Sequence, residues 1–226
     1  MLDNQLKIVY KAGKDLSREE LQAIYAIRAE YMRPKNSPEQ DWGYFSHHIE
    51  QAQFLYIFVD AQGQIQGSSL VFYELHDENY LTIELGLGYL RPQFRQQGYP
   101  LQAVLQAMQN IYAAYPTTPK YFLGVAFPAG YLTFRPLNVR LHHLASANIS
   151  PLEKQILSRY SLAQFGDGSA PVCNSILVPI ASEAEIQRYA AQPYLAEFMK
   201  YVPNWYEGFA LYVVALLPDT LDKLKA

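Results

Sequence analysis

The stretch LRPQFRQQGYP, residues 90–100, joins a predicted strand to a predicted helix. The strand is YLTIELGLGYL, residues 80–90, and the helix spans residues 100–116 with its apolar side chains on one stripe at helical spacing. A helix that begins near Gly98 leaves its first backbone N–H groups unpaired, with the positive end of the helix dipole behind them. Such a helix end binds phosphate. The stretch therefore predicts a turn that holds a phosphate-bearing ligand, with Arg95 as an additional positive charge.

One residue of this turn is unfavourable for that role. Pro100 suits the first turn of a helix, but it removes one possible N–H donor. An arginine followed three residues later by a glycine is also a weak motif by itself. The alternative interpretation is a capped junction between strand and helix with polar residues at its surface.

The predicted strand 80–90 has two different faces, because side chains alternate along a strand. One face is apolar and typical of a core: Ile83, Leu85, Leu87 and Tyr89. The other presents Glu84 followed by Gly86 and Gly88. A glycine within a strand often marks the close approach of another chain or a ligand. This face indicates either a narrow channel that ends at a carboxylate, or an edge strand with an exposed glutamate and incidental glycines.

The remaining sequence alternates strand-like and helix-like segments without an internal repeat. The N-terminal part predicts a strand at LKIVYKA, then two helices with capping boxes at Ser17–Glu20 and Ser37–Gln40, then an antiparallel hairpin over residues 54–75. KYFLGVAF predicts the strand that follows the helix 100–116. Beyond residue 130 the sequence predicts a helix capped by Ser150, a strand at VCNSILVPI, a helical stretch interrupted by a proline, and a last strand at GFALYVVALL.

These elements predict an α/β fold class and one domain over residues 1–226. No long linker divides the chain; the nearest approach to a boundary is the short loop GDGSAP. Residues 5–130 form the expected core of the fold, and residues 131–226 form an elaborated C-terminal half.

LRPQFRQQGYP resembles the acetyl-CoA-binding motif of the GCN5-related N-acetyltransferase (GNAT) superfamily, an aliphatic-x-P-x-x-(Q/R)-x-x-G-x-(G/A) pattern. Leu90, Pro92, Arg95 and Gly98 match it, whereas Pro100 stands where the family usually has glycine or alanine. The predicted order of elements also agrees with the family from residue 5 to about residue 127. The resemblance implies a GNAT-like mixed, mostly antiparallel central sheet flanked by helices, to which the C-terminal half is a divergent addition.

The resemblance further implies an acyl-CoA-dependent N-acyltransferase that transfers acetyl from acetyl-CoA to an amine by direct attack, without a metal. The acceptor would be a small-molecule or peptide amine. The backbone amides of the turn would hold the pyrophosphate, and the pantetheine arm would lie along the strand. The implied cofactor-binding residues are Gly88, Tyr89, Leu90, Arg95, Gln96, Gln97, Gly98 and Tyr99.

Two catalytic residues are implied by position. Glu84 lies eleven residues before Arg95, the spacing of the general-base glutamate in the histone-acetylating branch of the family. Tyr131, in FPAGYLTF, matches the tyrosine that protonates the leaving thiolate in many members. The chain contains 19 tyrosines, so a tyrosine near any given position is expected.

Two other functions stay open from the sequence. Pro100 and the altered C-terminal half favour a catalytically silent GNAT-like module that binds CoA, a small metabolite or a protein partner. Gly86 and Gly88 instead favour an acyltransferase for longer acyl chains, with the two glycines widening the channel. Residues 194–217 could cover the acceptor side, extend the sheet or form a homodimer contact.

Composition limits the location and the partners. Half of the 226 residues are apolar, 17% are charged and the net charge is −3, which predicts a globular protein and argues against nucleic-acid binding by bulk charge. The sequence shows neither a signal peptide nor roughly 20 consecutive apolar residues, so we expect no membrane association and a cytoplasmic location. The single cysteine, Cys173, lies in an apolar run and predicts a buried structural thiol.

Two further groups of residues have side chains that could take part in function. Adjacent side chains on a helix point in different directions, so the pairs His47–His48 and His142–His143 predict solvated surface rather than zinc sites. The aromatic set Trp42, Tyr44 and Phe45 favours core packing, with an acceptor pocket as the alternative.

Overall fold

The computed structural model describes residues 5–95, 97–137 and 139–224. These residues form two compact units. The first contains Met1–Tyr73 and Glu84–Tyr115, and the second contains Glu74–Ile83 and Pro116–Ala226. One domain over the whole chain therefore stays a prediction.

The first unit combines a sheet with three long helices. Its strands pair in the order β1-β3-β4-β5, and β1–β3 and β3–β4 are antiparallel. The ends of β4 and β5 that face their connecting turn belong to the second unit. The elements are β1 Lys7–Lys11, α1 Arg18–Ala29, β2 Met32–Pro34, α2 Pro38–Glu50, β3 Phe54–Val59, β4 Ile65–His76, β5 Tyr80–Leu90 and α3 Tyr99–Ala114.

Helices α1 and α2 begin where their caps predict. The Ser17 hydroxyl accepts from the Glu20 amide at 3.2 Å, and the Ser37 hydroxyl accepts from the Gln40 amide at 3.3 Å. In both boxes the glutamate or glutamine side chain bonds back to the serine amide. The apolar sides of these helices and of the sheet share one core: Ile24, Phe45, Ile49, Leu55, Ile57 and Leu70.

The second unit is built around its last strand. That strand pairs antiparallel with a strand on each side, in the order β6-β9-β7. The elements are β6 Lys120–Ala126, α4 Pro128–Thr133, α5 Pro151–Phe165, β7 Val172–Asn174, β8 Leu177–Pro179, α6 Glu183–Ala190, α7 Ala196–Tyr201, β9 Phe209–Leu216 and α8 Leu221–Leu224.

Several predictions for the C-terminal half are confirmed. Ser150 caps α5 with Glu153 as the reciprocal partner. The helical stretch is divided at Pro193 into α6 and α7, with a short 3-10 turn between them. Cys173 is a buried free thiol that packs in the core of the second unit.

The fold class is therefore the expected one: mixed α/β, with a mostly antiparallel central sheet flanked by helices. In the part of the chain that the structure describes, no helix combines the length and the apolarity that a membrane span requires.

Candidate functional site

The turn between β5 and α3 is anchored at its beginning. The Arg91 amide donates to the Gln66 carbonyl at 3.0 Å, and its guanidinium reaches Glu30 at 3.0 Å and the Gln66 side chain at 3.2 Å. The next residues form a 3-10 turn, Pro92–Phe94, that buries the Phe94 ring. The turn is thus fixed to β4 and to the end of α1 before it reaches the helix.

Helix α3 begins at the predicted glycine. Gly98 is its N-cap and adopts a left-handed conformation, φ 76° and ψ 8°, which a residue with a Cβ rarely adopts. The first helical hydrogen bond runs from the Gln102 amide to the Gly98 carbonyl at 2.9 Å. Pro100 takes the second helical position.

The start of α3 leaves backbone donors available. Within the described residues, the amides of Gln97, Gly98, Tyr99 and Leu101 donate no hydrogen bond. They lie in the first turn of a 16-residue helix, where the dipole favours an anion. The predicted contact at Gln96 lies outside the described residues.

Arg95 is exposed, but its guanidinium turns back toward the strand. Its Nε donates to the Leu90 carbonyl at 3.1 Å, and Cζ lies 4.5 Å from the centre of the Tyr31 ring. The Arg95 amide donates to the Pro92 carbonyl at 3.2 Å. Arg95 therefore braces the turn, and a ligand would meet the remaining guanidinium N–H groups.

Three other predicted contact residues have side chains that pack within the protein. Leu90 and Tyr99 are buried, and the Tyr99 hydroxyl accepts from the Leu6 amide at 2.9 Å. Tyr89 stacks on Tyr31 with ring centres 6.1 Å apart, and burial raises the pKa of its phenol to about 12. These three residues can offer a ligand only their backbone.

The two glycines of β5 have different surroundings. A Cβ added at Gly88 would meet no atom within 4 Å, and Gly88 is exposed. A Cβ added at Gly86 would lie 3.2 Å from Phe72 Cε2 and 3.3 Å from His48 Nε2. The channel expected along this face is therefore open at Gly88 and closed by side chains at Gly86.

Glu84 lies on the same face of β5, two residues beyond Gly86, and is half-buried. Its charge adds to the effect of burial in raising the pKa of Tyr44 on α2. Tyr44 itself is 48% exposed, whereas Phe45 belongs to the core and Trp42 packs against Tyr25 and Phe45. Of the aromatic set, Tyr44 alone is exposed.

The order of elements and the turn decide the fold. From β1 to β6 the chain runs strand, helix, helix, three strands, motif helix and strand, with the short β2 as an unpredicted addition between the first two helices. The motif helix begins at Gly98, as the sequence predicted, and the order of elements agrees with the one that the resemblance to the GNAT superfamily implied.

Comparisons with known proteins find a similarity of fold alone. No family model and no curated protein matches the sequence. Solved structures that match include an acyl-CoA N-acyltransferase from Pseudomonas aeruginosa, with 20% identity, 53% of this chain and 80% of that chain covered, and a TM-score of 0.37. A spermidine/spermine N-acetyltransferase from Vibrio cholerae has 16% identity, coverage of 62% and 83%, and a TM-score of 0.42. A GNAT family N-acetyltransferase from Escherichia coli in complex with CoA has 15% identity, coverage of 62% and 70%, and a TM-score of 0.42.

Tyr131, the predicted proton donor of the GNAT reaction, lies in α4 of the second unit. Its ring is 5% exposed and packs against Tyr194 and Phe198, with ring centres at 5.8 and 5.6 Å. Burial, then the charge of Glu197, raises the pKa of its phenol to about 12. The phenol is therefore protonated at neutral pH, and its catalytic role stays a prediction.

The prediction of solvated histidines is wrong for three of the four residues. His143 is buried and His142 and His48 are partly buried; only His47 is exposed. His142 Nδ1 lies 3.2 Å from Glu153 Oε1. In the described part of the chain, no cluster of three or more histidine, cysteine, aspartate or glutamate residues could hold a metal ion.

The hydrogen bonds of His143 define its neutral form. Its Nδ1 accepts from the Ala145 amide at 3.2 Å, so Nε2 carries the proton and donates to Glu197 Oε1 at 3.2 Å. The ring also packs edge-on against Tyr201, with ring centres 4.4 Å apart. Burial lowers the pKa of His143 from its ordinary 6.5, although the Glu197 hydrogen bond opposes that shift.

Stability is therefore expected to fall as pH drops below 6.5. The unfolded chain binds a proton at His143 at a higher pH than the folded chain does, so this histidine contributes stability that is complete above pH 6.5 and lost below it. Urea unfolding at several pH values should show a lower free energy of unfolding in acid. His143→Gln should flatten this dependence, and His47→Gln, at an exposed site, should not. An equal slope in His143→Gln would contradict this assignment.

Proposed function

We propose that the protein is an acyl-CoA-dependent N-acyltransferase that moves acetyl from acetyl-CoA to an amine. One observation carries the proposal: the amides at the start of α3, which donate no hydrogen bond to another described residue, lie at the end of a strand whose outer face is open at Gly88. The amides of Gln97, Gly98 and Tyr99 suit a diphosphate. Glu84 lies about 20 Å from Leu90 along this strand, at about 3.3 Å per residue, and the rings beside Gly86 lie between it and the open position at Gly88.

Glu84 is proposed as the general base. A thioester supplies an activated carbonyl carbon, but a protonated amine has no lone pair with which to attack it. Glu84 accepts the proton of the amine directly or through a water molecule. The amine nitrogen bonds to the carbonyl carbon, and the carbon–sulfur bond breaks. The nitrogen then releases its second proton to solvent, and solvent returns a proton to the phenol that has protonated the thiolate. The leaving thiolate takes one proton, for which Tyr131 is the proposed donor, so the products are an amide and a free thiol.

The acceptor is proposed to be a small-molecule or peptide amine. Tyr44 is half-exposed, and the charge of Glu84 contributes to raising the pKa of its phenol. A carboxylate beside an aromatic face suits an ammonium group, which both attract. Polyamines, amino acids, aminoglycosides and a short peptide, assayed by release of free thiol from acetyl-CoA, would identify the acceptor class.

A second candidate is a CoA-binding module without turnover. Two observations favour it: Pro100 removes one donor from the helix start, and Arg95 is already bonded to the Leu90 carbonyl. Such a module would bind CoA and acetyl-CoA alike and would release no thiol with any amine. Thiol release above the uncatalysed rate would reject it.

Calorimetric titration with CoA and acetyl-CoA tests the cofactor site. Gly88→Trp should weaken binding by about tenfold or more, because the new ring enters the open channel without disturbing a neighbour. Gly43→Trp is the matched control: Gly43 is also exposed, with no atom within 4 Å of an added Cβ, and its affinity should equal that of the wild type. Absence of binding at millimolar CoA would reject both candidate functions.

A further inference from the structure

Two side chains from other elements occupy the space beside Gly86. Phe72 Cε2 and His48 Nε2 lie 3.2 and 3.3 Å from the position of an added Cβ, and Leu70 Cβ lies at 3.9 Å. A Cβ at either distance would be crowded, and the two rings would have to move to accommodate it. The missing side chain at Gly86 therefore makes room for the protein's own rings.

Tyr44 and His48 on α2 and Phe72 on β4 form a row of neighbouring aromatic rings, of which the first two are stacked and the last is tilted by 43°. The Tyr44 and His48 rings are nearly parallel, 12°, with centres 5.7 Å apart, and the His48 and Phe72 rings are 4.5 Å apart. Within the described residues, the His48 imidazole makes no hydrogen bond that would compete with this ring packing. Burial is the main cause that lowers the pKa of His48, so the imidazole is neutral near pH 7. We call His48 and Phe72 the ring wall.

The ring wall lies across the path expected for the acyl group. A ligand held at α3 and extended along β5 passes Gly88, where nothing blocks it, before it reaches Gly86. The two glycines are two residues apart, about 7 Å along a strand. The backbone N–H of Gly88 or of a neighbouring residue is the proposed partner of the thioester oxygen, so the acyl chain points toward the ring wall over that short distance.

We propose that His48 and Phe72 are specificity-determining residues that end the acyl channel and restrict the enzyme to short acyl groups such as acetyl. This inference rests on the proposed function. The inference also argues against a preference for longer acyl chains. Gly86 does not widen the channel, because His48 and Phe72 fill the space beside it.

The test compares chain lengths in binding, so it does not require the acceptor. The probes are CoA, acetyl-CoA and octanoyl-CoA, titrated by calorimetry into the wild type, His48→Ala and Phe72→Ala. His47→Ala is the matched control, because His47 is exposed on the same helix and its imidazole hydrogen-bonds the Gln51 side chain at 3.0 Å. Thermal unfolding confirms that each variant is folded, and either ring-wall variant suffices if the other fails to fold.

The wild type and His47→Ala should bind octanoyl-CoA about tenfold or more weakly than acetyl-CoA, since the longer chain must displace packed rings. His48→Ala or Phe72→Ala should reduce that ratio severalfold while acetyl-CoA affinity changes little. Tight CoA binding with the same chain-length ratio in wild type and ring-wall variants would overturn the ring wall alone. No CoA binding by the wild type would overturn the proposed function, and this inference with it.

Discussion

Replacement of Asp41 by alanine is expected to lower the free energy of unfolding by about 3–5 kcal/mol, because it leaves a buried guanidinium without its counter-ion. Arg28 on α1 and Asp41 on α2 are 3% and 2% exposed. Arg28 Nη1 donates to Asp41 Oδ2 at 3.0 Å, and Nη2 donates to Oδ1, so the pair is bidentate. Tyr25 adds a hydroxyl donor to Oδ2 at 2.7 Å.

The expected loss in free energy of unfolding is large because the pair is buried, and not because it is charged alone. Removal of one partner from a buried pair leaves the other charge desolvated, whereas an exposed pair of the same chemistry contributes about 0–1 kcal/mol. The pair Arg91–Glu30 provides the comparison, since its side chains are 34% and 41% exposed. Glu30→Ala should therefore cost no more than about 1 kcal/mol.

Urea unfolding of the two variants measures this difference, with linear extrapolation to water. Arg28→Met combined with Asp41→Leu should regain most of the loss, since a well-packed apolar pair removes the desolvation penalty of both ions. An Asp41→Ala variant as stable as Glu30→Ala would show that the pair is hydrated or loosely packed in solution.

This ion pair also connects stability to the proposed site. It fixes α2 against α1, and α2 carries both Tyr44 and His48. Asp41→Ala should therefore have a second effect if the variant still folds: a weaker preference for short acyl groups. The reason is that α2, which carries His48 of the ring wall, loses its ion pair with α1.

Features that depend on neighbouring residues were predictable from the sequence. The helix starts at Ser17, Ser37 and Ser150 follow from a serine and an acceptor three residues later, and all three capping boxes are present. The helix start at Gly98 and the interruption at Pro193 follow from backbone restrictions of single residues. Local rules of this kind operate whatever the rest of the chain does.

Features that depend on distant side chains were not predictable. Arg28 pairs with Asp41, which lies thirteen residues later in the sequence, and nothing in the sequence near either residue indicates this ion pair. The two glycines of β5 look alike in the sequence, yet one is open and the other lies under His48 and Phe72, 38 and 14 residues earlier. A partial signal existed, because Tyr44 and His48 are four residues apart and therefore share one side of α2.

The same distinction applies to charged and polar residues. The role of Arg95 in binding a cofactor stays a prediction, and its contacts with the Leu90 carbonyl and the Tyr31 ring had no signal in the sequence. His143 was expected at the surface, but the second unit buries it with Glu197 as its partner. The placement of a long or titratable side chain depends on tertiary partners that a pattern along one segment does not contain.

Replacement of Glu84 by glutamine is expected to lower kcat about 10²–10⁴-fold while the affinity for acetyl-CoA stays within about twofold, because an amide of equal size cannot accept the proton of the acceptor amine. Glu84 is half-buried at the closed end of the strand face, beyond the open position at Gly88. It lies six residues from Leu90, about 20 Å from the end of the strand that leads to the amides at α3, so a change there should separate turnover from binding.

The measurement is thiol release with the acceptor found in the amine screen, beside calorimetry with acetyl-CoA. Glu74→Gln is the matched control, because the Glu74 side chain on β4 is 75% exposed, and its turnover should equal that of the wild type. Higher pH should partly rescue Glu84→Gln, since the fraction of acceptor that arrives already deprotonated rises with pH and makes a base less necessary. Unchanged turnover in Glu84→Gln would remove this carboxylate from the mechanism, and the neutral imidazole of His48, which lies beside Gly86, would then be the base to replace next.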